Sequence, residues 1–231
     1  MGEVIRKTAA AEDILTDVRK TLTSATAKQG EWQTDAEARL GPVVVLADNV
    51  DERVKEQRKV TEPAVAQLDV ANRESDDLIG RTADDFWNDI GRPAVDVTYD
   101  IMYPGGIRSI VDGAVDDQPY RMELLAELFE AKLHPKLPAD KATGYATAIR
   151  QSATRLEERV DAARPLKARL EMLERMQTAI ARSGAVALSR LKRKWLSDGH
   201  TEAEIHTVIP DRSSSKNKGG GGGGGGGPTG A

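Results

Sequence analysis

The sequence predicts an all-α protein, an elongated multi-helix bundle of coiled-coil-like antiparallel helices, and three observations lead there. Apolar residues recur three and four apart: Val43, Leu46, Val50 and Val54 make one stripe, and Leu156, Val160, Ala163, Leu170, Leu173 and Ile180 make another, with one skip at Lys167. Hydrophobic residues are 39% of the 231-residue chain, but many are Ala and only 3 Trp, 4 Tyr and 2 Phe stand beside them. Ala removes little apolar surface from water, yet it is the best helix former and lets backbones approach, so a thin Ala-rich core suits narrow seams between helices. Helix-start signals, finally, outnumber strand signals throughout.

Taken in order, helices are expected at 3–27, at 34–60 with a break near Gly41-Pro42, and at 62–90, 119–133, 139–163, 165–197 and 201–208. Three starts carry a hydroxyl with a carboxylate three residues on, the pair that satisfies orphan backbone donors at a helix N-terminus: Thr34 with Glu37, Thr82 with Asp85, and Thr201 with Glu204. Pro42, Pro63, Pro119 and Pro138 supply further starts, because proline needs no N–H in the first turn. The run Val43-Val44-Val45 has the composition of a short strand, but no partner strand is evident and an unpaired strand leaves its backbone unsatisfied, so it is assigned to a helix.

Composition divides the chain into an acidic N-terminal helical half at 1–90, an ordered connection at 91–118, a basic C-terminal helical half at 119–209 and a flexible tail at 210–231. The connection is punctuated by Gly91, Pro93, Pro104, Gly105, Gly106 and Gly113, yet it carries Val95, Val97, Tyr99, Ile101, Met102, Tyr103, Ile107, Ile110 and Val111. Apolar residues in so long a loop imply packing on the bundle. The tail, with nine consecutive glycines from Gly219 to Gly227, can bury nothing, and disorder is expected there. Resemblances such as Asp51-Glu52-Arg53-Val54 to Glu157-Glu158-Arg159-Val160 hint at a duplication, but amphipathic helices resemble one another at this level.

The formal net charge of −4 conceals an asymmetry. Residues 1–120 carry 14 basic and 24 acidic side chains, against 19 and 13 in 121–231. Thirteen acids between Glu62 and Asp117 face only Arg73, Arg81, Arg92 and Arg108, while the basic surplus peaks at Arg182, Arg190, Lys192, Arg193 and Lys194. Charge runs are usually solvated faces. The sharper reading is attraction between complementary poles, with Asp76, Asp77, Asp84 and Asp85 on one side and Arg190, Lys192, Arg193 and Lys194 on the other. Nucleic acid or an anionic membrane face at residues 190–194 ranks below both readings, since only one short basic stretch exists and little aromatic character is interleaved with it.

Chemistry-bearing motifs are sparse. The chain has no Cys, which excludes disulfides, a thiol nucleophile and zinc-thiolate sites. His134 ends a helix and suits a cap. His200 with Glu204, Glu202 with His206, and the group Asp84, Asp85 and Asp89 have residue types that bind metals, but helix capping and solvation explain them without a metal, so no metal or cofactor is expected. The alternative to an interaction role is an enzyme or small-anion binder at the Pro-Gly-Gly turn, using Tyr99, Tyr103, Gly105, Gly106 and Arg108. That stretch lacks the spacing of a phosphate loop. Trp32, Trp87 and Trp195 fit amphipathic plugs at helix ends, or a partner site if they share one exposed patch.

No segment approaches the ~20 apolar residues that cross a bilayer, and the first residues lack the apolar stretch of a secretion signal, so a cytoplasmic protein is expected. The functional expectation is a non-catalytic helical scaffold, adaptor or self-assembling component. Its partner would be another protein, either a further copy of itself as a homo-oligomer or a different helical protein.

Overall fold

Two helices of 60 and 59 residues dominate the chain. The computed structural model describes residues 9–210, within which the order is α1 (Ala11–Lys28), α2 (Gly30–Asp89), α3 (Val97–Met102), α4 (Arg108–Val111), a 3-10 turn (Val115–Asp117), α5 (Gln118–Glu130), α6 (Ala139–Ser197) and α7 (Glu202–His206). No strand occurs among the described residues, and Val43-Val44-Val45 is helical. The fold is an all-α, bundle-like arrangement of packed helices. The expected start of the first helix at residue 3 and most of the Gly-rich tail at 210–231 lie outside the described residues.

The long helices correct the expected boundaries. α2 runs unbroken through Pro42 and Pro63, and α6 through Pro165, where breaks are expected from sequence. A proline inside a helix removes one donor and crowds the carbonyl four residues back. Here all three prolines are solvent-exposed, as are Ala38, Lys59 and Asp161, which own those carbonyls. Water can therefore satisfy the freed acceptors, while the buried stripe continues on the opposite side: Leu40 and Ala47 flank Pro42, Thr61 and Leu68 flank Pro63, and Val160 and Ala163 precede Pro165.

Two of the expected helix starts also fall inside α2. Thr34 donates to the Gly30 carbonyl at 3.1 Å, and Thr82 is buried in the helix interior. Only the Thr201–Glu204 box forms: the Glu204 amide donates to Thr201 Oγ1 at 3.3 Å and the Thr201 amide donates to Glu204 Oε2 at 2.8 Å.

The described residues form two compact units, one comprising 9–48 and 177–210, the other comprising Asn49–Met176. Each unit thus draws on both the acidic and the basic part of the sequence. In the terminal unit α1 contributes Ile14, Leu15, Val18 and Ala25 to the core, α2 contributes Ala36, Leu40 and Ala47, and α6 contributes Ala181, Leu188, Leu191 and Trp195. α2 and α6 are antiparallel here, since Asp35 meets Lys194 while Val43 lies against Gly184. Five residues are too few for a helix that stands alone. α7 is held by its capping box and by Ile205, Val208 and Ile209, all at most 2% exposed, whose burial contributes about 1.5–3 kcal/mol each.

In the central unit α2 and α6 again run antiparallel, with Arg58 on Glu174, Gln67 on Arg159, Ser75 on Ser152 and Asp89 on Tyr145. The buried positions of α2 recur with a seven-residue period at Val54, Thr61, Leu68 and Ser75, and those of α6 at Ala142, Ile149, Leu156 and Ala163. Four buried polar side chains in this seam are paired. Gln57 Nε2 and Thr61 Oγ1 reach the Leu166 carbonyl at 3.3 and 3.4 Å, and the Ser75 and Ser152 hydroxyls lie 3.0 Å apart. α5 adds Met122, Leu125, Ala126 and Phe129, and the 91–118 connection adds Met102, Tyr103 and Ile110, so this connection is ordered on the core.

Candidate functional site

The basic group expected from sequence divides in two. Lys192 is 5% exposed and its ammonium lies 3.6 Å from Glu202. Lys194 stands between Asp198 at 2.7 Å and Asp35 at 2.9 Å; hydrogen bonds to Asp198 and then Asp35 hold its pKa above the ordinary lysine value. Both therefore serve the terminal unit's own packing. Arg190 and Arg193 remain exposed, and neither has an ionic partner among the described residues.

Arg190 belongs to a groove of about 500 Å³ in the terminal unit, lined by Arg39, Arg182, Ser183, Val186, Ala187 and Arg190. Arg182, Val186 and Arg190 follow one another at four-residue intervals and so share a face of α6. Arg39 comes from α2. None of the three guanidiniums has a carboxylate partner among the described residues. Arg182 is counted in the basic surplus by sequence but not singled out, although its spacing to Arg190 is the signal. Arg39 carries no local signal at all, because it joins the group only through the antiparallel pairing of α2 with α6.

The acidic group divides in the same way, within the central unit. Asp76 accepts from Gln118 Nε2 at 2.6 Å and from Asn72 Nδ2 at 3.2 Å, which ties α5 to α2. Asp77, Asp84 and Asp85 are exposed and have no ionic or hydrogen-bond partner among the described residues. Asp89, weighed with Asp84 and Asp85 as a cation site, accepts from the Tyr145 hydroxyl at 2.7 Å and pairs with Lys141 at 3.6 Å. Burial, then the bond to Asp89, raises the Tyr145 pKa. No group of three His, Asp or Glu side chains among the described residues is arranged to hold a metal.

The turn at Tyr99–Arg108 does not converge on a common point. Tyr99 packs on Trp87, Tyr103 and Phe86 with ring centroids 4.6, 5.1 and 5.4 Å away. Tyr103 is 1% exposed, and burial drives its pKa upward. Gly105 and Gly106 have φ of 80° and 92°, values that an L side chain rarely adopts. The Gly106 amide is spent on the Tyr103 carbonyl at 2.8 Å, and Arg108 is exposed while Tyr103 is in the core. What anchors this segment is a pair that sequence treats only in part. His134, read as a helix cap, is 5% exposed and its Nε2 lies 2.9 Å from Asp96 Oδ2, while Asp96 Oδ1 accepts the Tyr99 amide at 2.9 Å and so caps α3. Because His134 Nδ1 accepts the Lys136 amide at 3.1 Å, the neutral ring carries its proton on Nε2 and donates it to Asp96. That bond is the chief reason the Asp96 pKa is lowered.

The tryptophans do not form one patch. Trp195 is fully buried and meets Trp32 with ring centroids 4.4 Å apart, while His200 covers Trp32 at 4.2 Å and Lys28 Nζ lies 4.3 Å from its centroid. Trp87 packs against the core of the other unit. His200 Nε2 is 2.6 Å from Glu31, and Glu204 is occupied by its cap, which leaves neither side of the His200–Glu204 pair for a metal.

Among the described residues no helix is long and apolar enough to cross a membrane. Comparison with family models, curated proteins and solved structures gives no match.

Proposed function

We propose that this protein is a non-catalytic helical scaffold that assembles with further copies of itself through complementary charged faces. One observation carries the reading: after internal pairing, the fold leaves Arg39, Arg182, Arg190 and Arg193 of one unit and Asp77, Asp84 and Asp85 of the other exposed and without ionic partners among the described residues. Complementary fields of this kind steer encounter and fix register more than they add affinity. Three of the perturbed groups support the same reading, because each is held by a structural partner. Asp96 caps α3 beside His134, Lys194 bridges two aspartates, and Glu204 caps α7. Exposed Val60, Val70, Met172 and Met176 along α2 and α6 of the central unit add apolar area that a docked neighbour would cover.

The test is light scattering of the full chain across ionic strength. Assembly through charge predicts a particle mass that falls toward that of one 25.0 kDa chain as salt shortens the Debye length from about 30 Å at 0.01 M to about 3 Å at 1 M. A monomer at every salt concentration overturns the proposal.

A further inference from the structure

The arginine groove differs from an ordinary solvated basic face in two respects. Its cations come from two helices, Arg39 from α2 and Arg182 and Arg190 from α6, and they surround a concave surface with Val186, half exposed, on its wall. They also stay unpaired where Lys192 and Lys194, close by on α6, are buried or doubly paired. Guanidiniums without counter-ions repel one another in any concave site, so the free groove carries an electrostatic cost that a carboxylate-bearing ligand removes.

The acidic surface has matching dimensions. Arg182 and Arg190 are eight residues apart on α6, as Asp77 and Asp85 are on α2, where the exposed Arg81 stands midway between the two aspartates and leaves the face of Asp77, Asp84 and Asp85 net acidic. At 1.5 Å per residue both spacings amount to about 12 Å, with the same angular offset around the helix. Asp84 adjoins Asp85, giving the third charge that three arginines call for. We infer that the groove of Arg39, Arg182 and Arg190 receives Asp77, Asp84 and Asp85 of a second copy of this chain. The inference rests on the self-assembly reading and names its two halves. The donor and acceptor faces belong to different units, so the contact closes as a two-fold dimer where both faces meet reciprocally and otherwise continues into a ring or a filament.

The closing experiment uses two full-length variants, one with Arg182→Gln and Arg190→Gln, the other with Asp77→Asn and Asp85→Asn. All four positions are exposed, and unchanged helical circular dichroism confirms folding. At low salt each variant alone is expected to be monomeric. Mixed in equal amounts they are expected to form a particle of twice the mass of one 25.0 kDa chain and no larger, because each partner supplies one intact face and the neutralised faces attract nothing and cap growth. If the wild-type chain assembles but the variants assemble equally, or if their mixture stays monomeric, this pairing is overturned while the scaffold reading stands. Retention of the wild type on a polyanion column, lost in the arginine variant, with a monomeric mixture assigns the groove to a polyanion and likewise overturns the pairing. A wild-type chain that is monomeric at every salt overturns both.

Discussion

Gly184 on α6 offers bare backbone to Val18 on α1: a Cβ placed on Gly184 stands 2.9 Å from Val18 Cγ2 and 3.3 Å from Val43 Cγ1 of α2. Both neighbours are β-branched and cannot swing away cheaply. Gly184→Ala gains helix propensity of about 1 kcal/mol but meets an overpacking cost of about 1–3 kcal/mol, so a lower thermal midpoint is expected. Gly144, also in α6, has nothing within 4 Å of its added Cβ, and Gly144→Ala is expected to raise stability by about 0.5–1 kcal/mol. Thermal unfolding of the two variants reads the opposite signs directly.

Asp96 provides a pH-dependent contribution. Its folded pKa is lowered, chiefly by His134, so its stabilisation is present above the unfolded carboxylate value of about 4 and is lost as pH falls through the folded value. Asp96→Asn keeps a capping oxygen but loses the charged acceptor for His134, and a cost of about 1–2 kcal/mol at neutral pH is expected. The gap between wild type and variant, measured by denaturant unfolding, should narrow on acidification. A gap that is constant with pH would contradict this account.

Pro165 sits where α6 could have a hydrogen bond to the Asp161 carbonyl. Pro165→Ala restores that donor and relieves the ring's contact with the preceding turn, offset by about 0.4–1 kcal/mol of added unfolded-chain entropy. A net gain of about 1–2 kcal/mol in chemical denaturation is the expected outcome.

The Ser75–Ser152 bridge in the central seam is buried on both sides, at 1% and 4% exposure. Removing either hydroxyl leaves the other without its partner, at about 1 kcal/mol, whereas removing both leaves nothing unpaired. A double-mutant cycle with Ser75→Ala and Ser152→Ala should therefore show a coupling of about 1 kcal/mol, the double variant costing less than the sum of the singles.

Local chemistry was legible where it acts locally. The Thr201–Glu204 box, the start of α6 at Ala139 and the packing of Met102, Tyr103 and Ile110 follow from neighbours within a few residues. Proline misled because its penalty depends on which side of the helix it occupies. Pro42, Pro63 and Pro165 look like starts or stops in a linear reading, but each lies on the wet side of a stripe that continues past it. The candidate site was half legible for a related reason. Charge counts identified Arg190 and Asp77, but separating them from Lys192, Lys194 and Asp76 requires knowing that Glu202, Asp35 and Gln118 arrive from other elements. Arg39 needed the pairing of α2 with α6 before it could be seen at all.

The alanines on the inner side of α6, among them Ala142, Ala146, Ala153 and Ala163, make each rung of the central seam thin. A single methyl buries so little that no one rung is indispensable, and the two long helices hold together as a zip fastener does, by the number of teeth engaged. Removing the methyl of one such alanine should loosen the seam by a small step, whereas cutting either helix short forfeits every tooth beyond the cut.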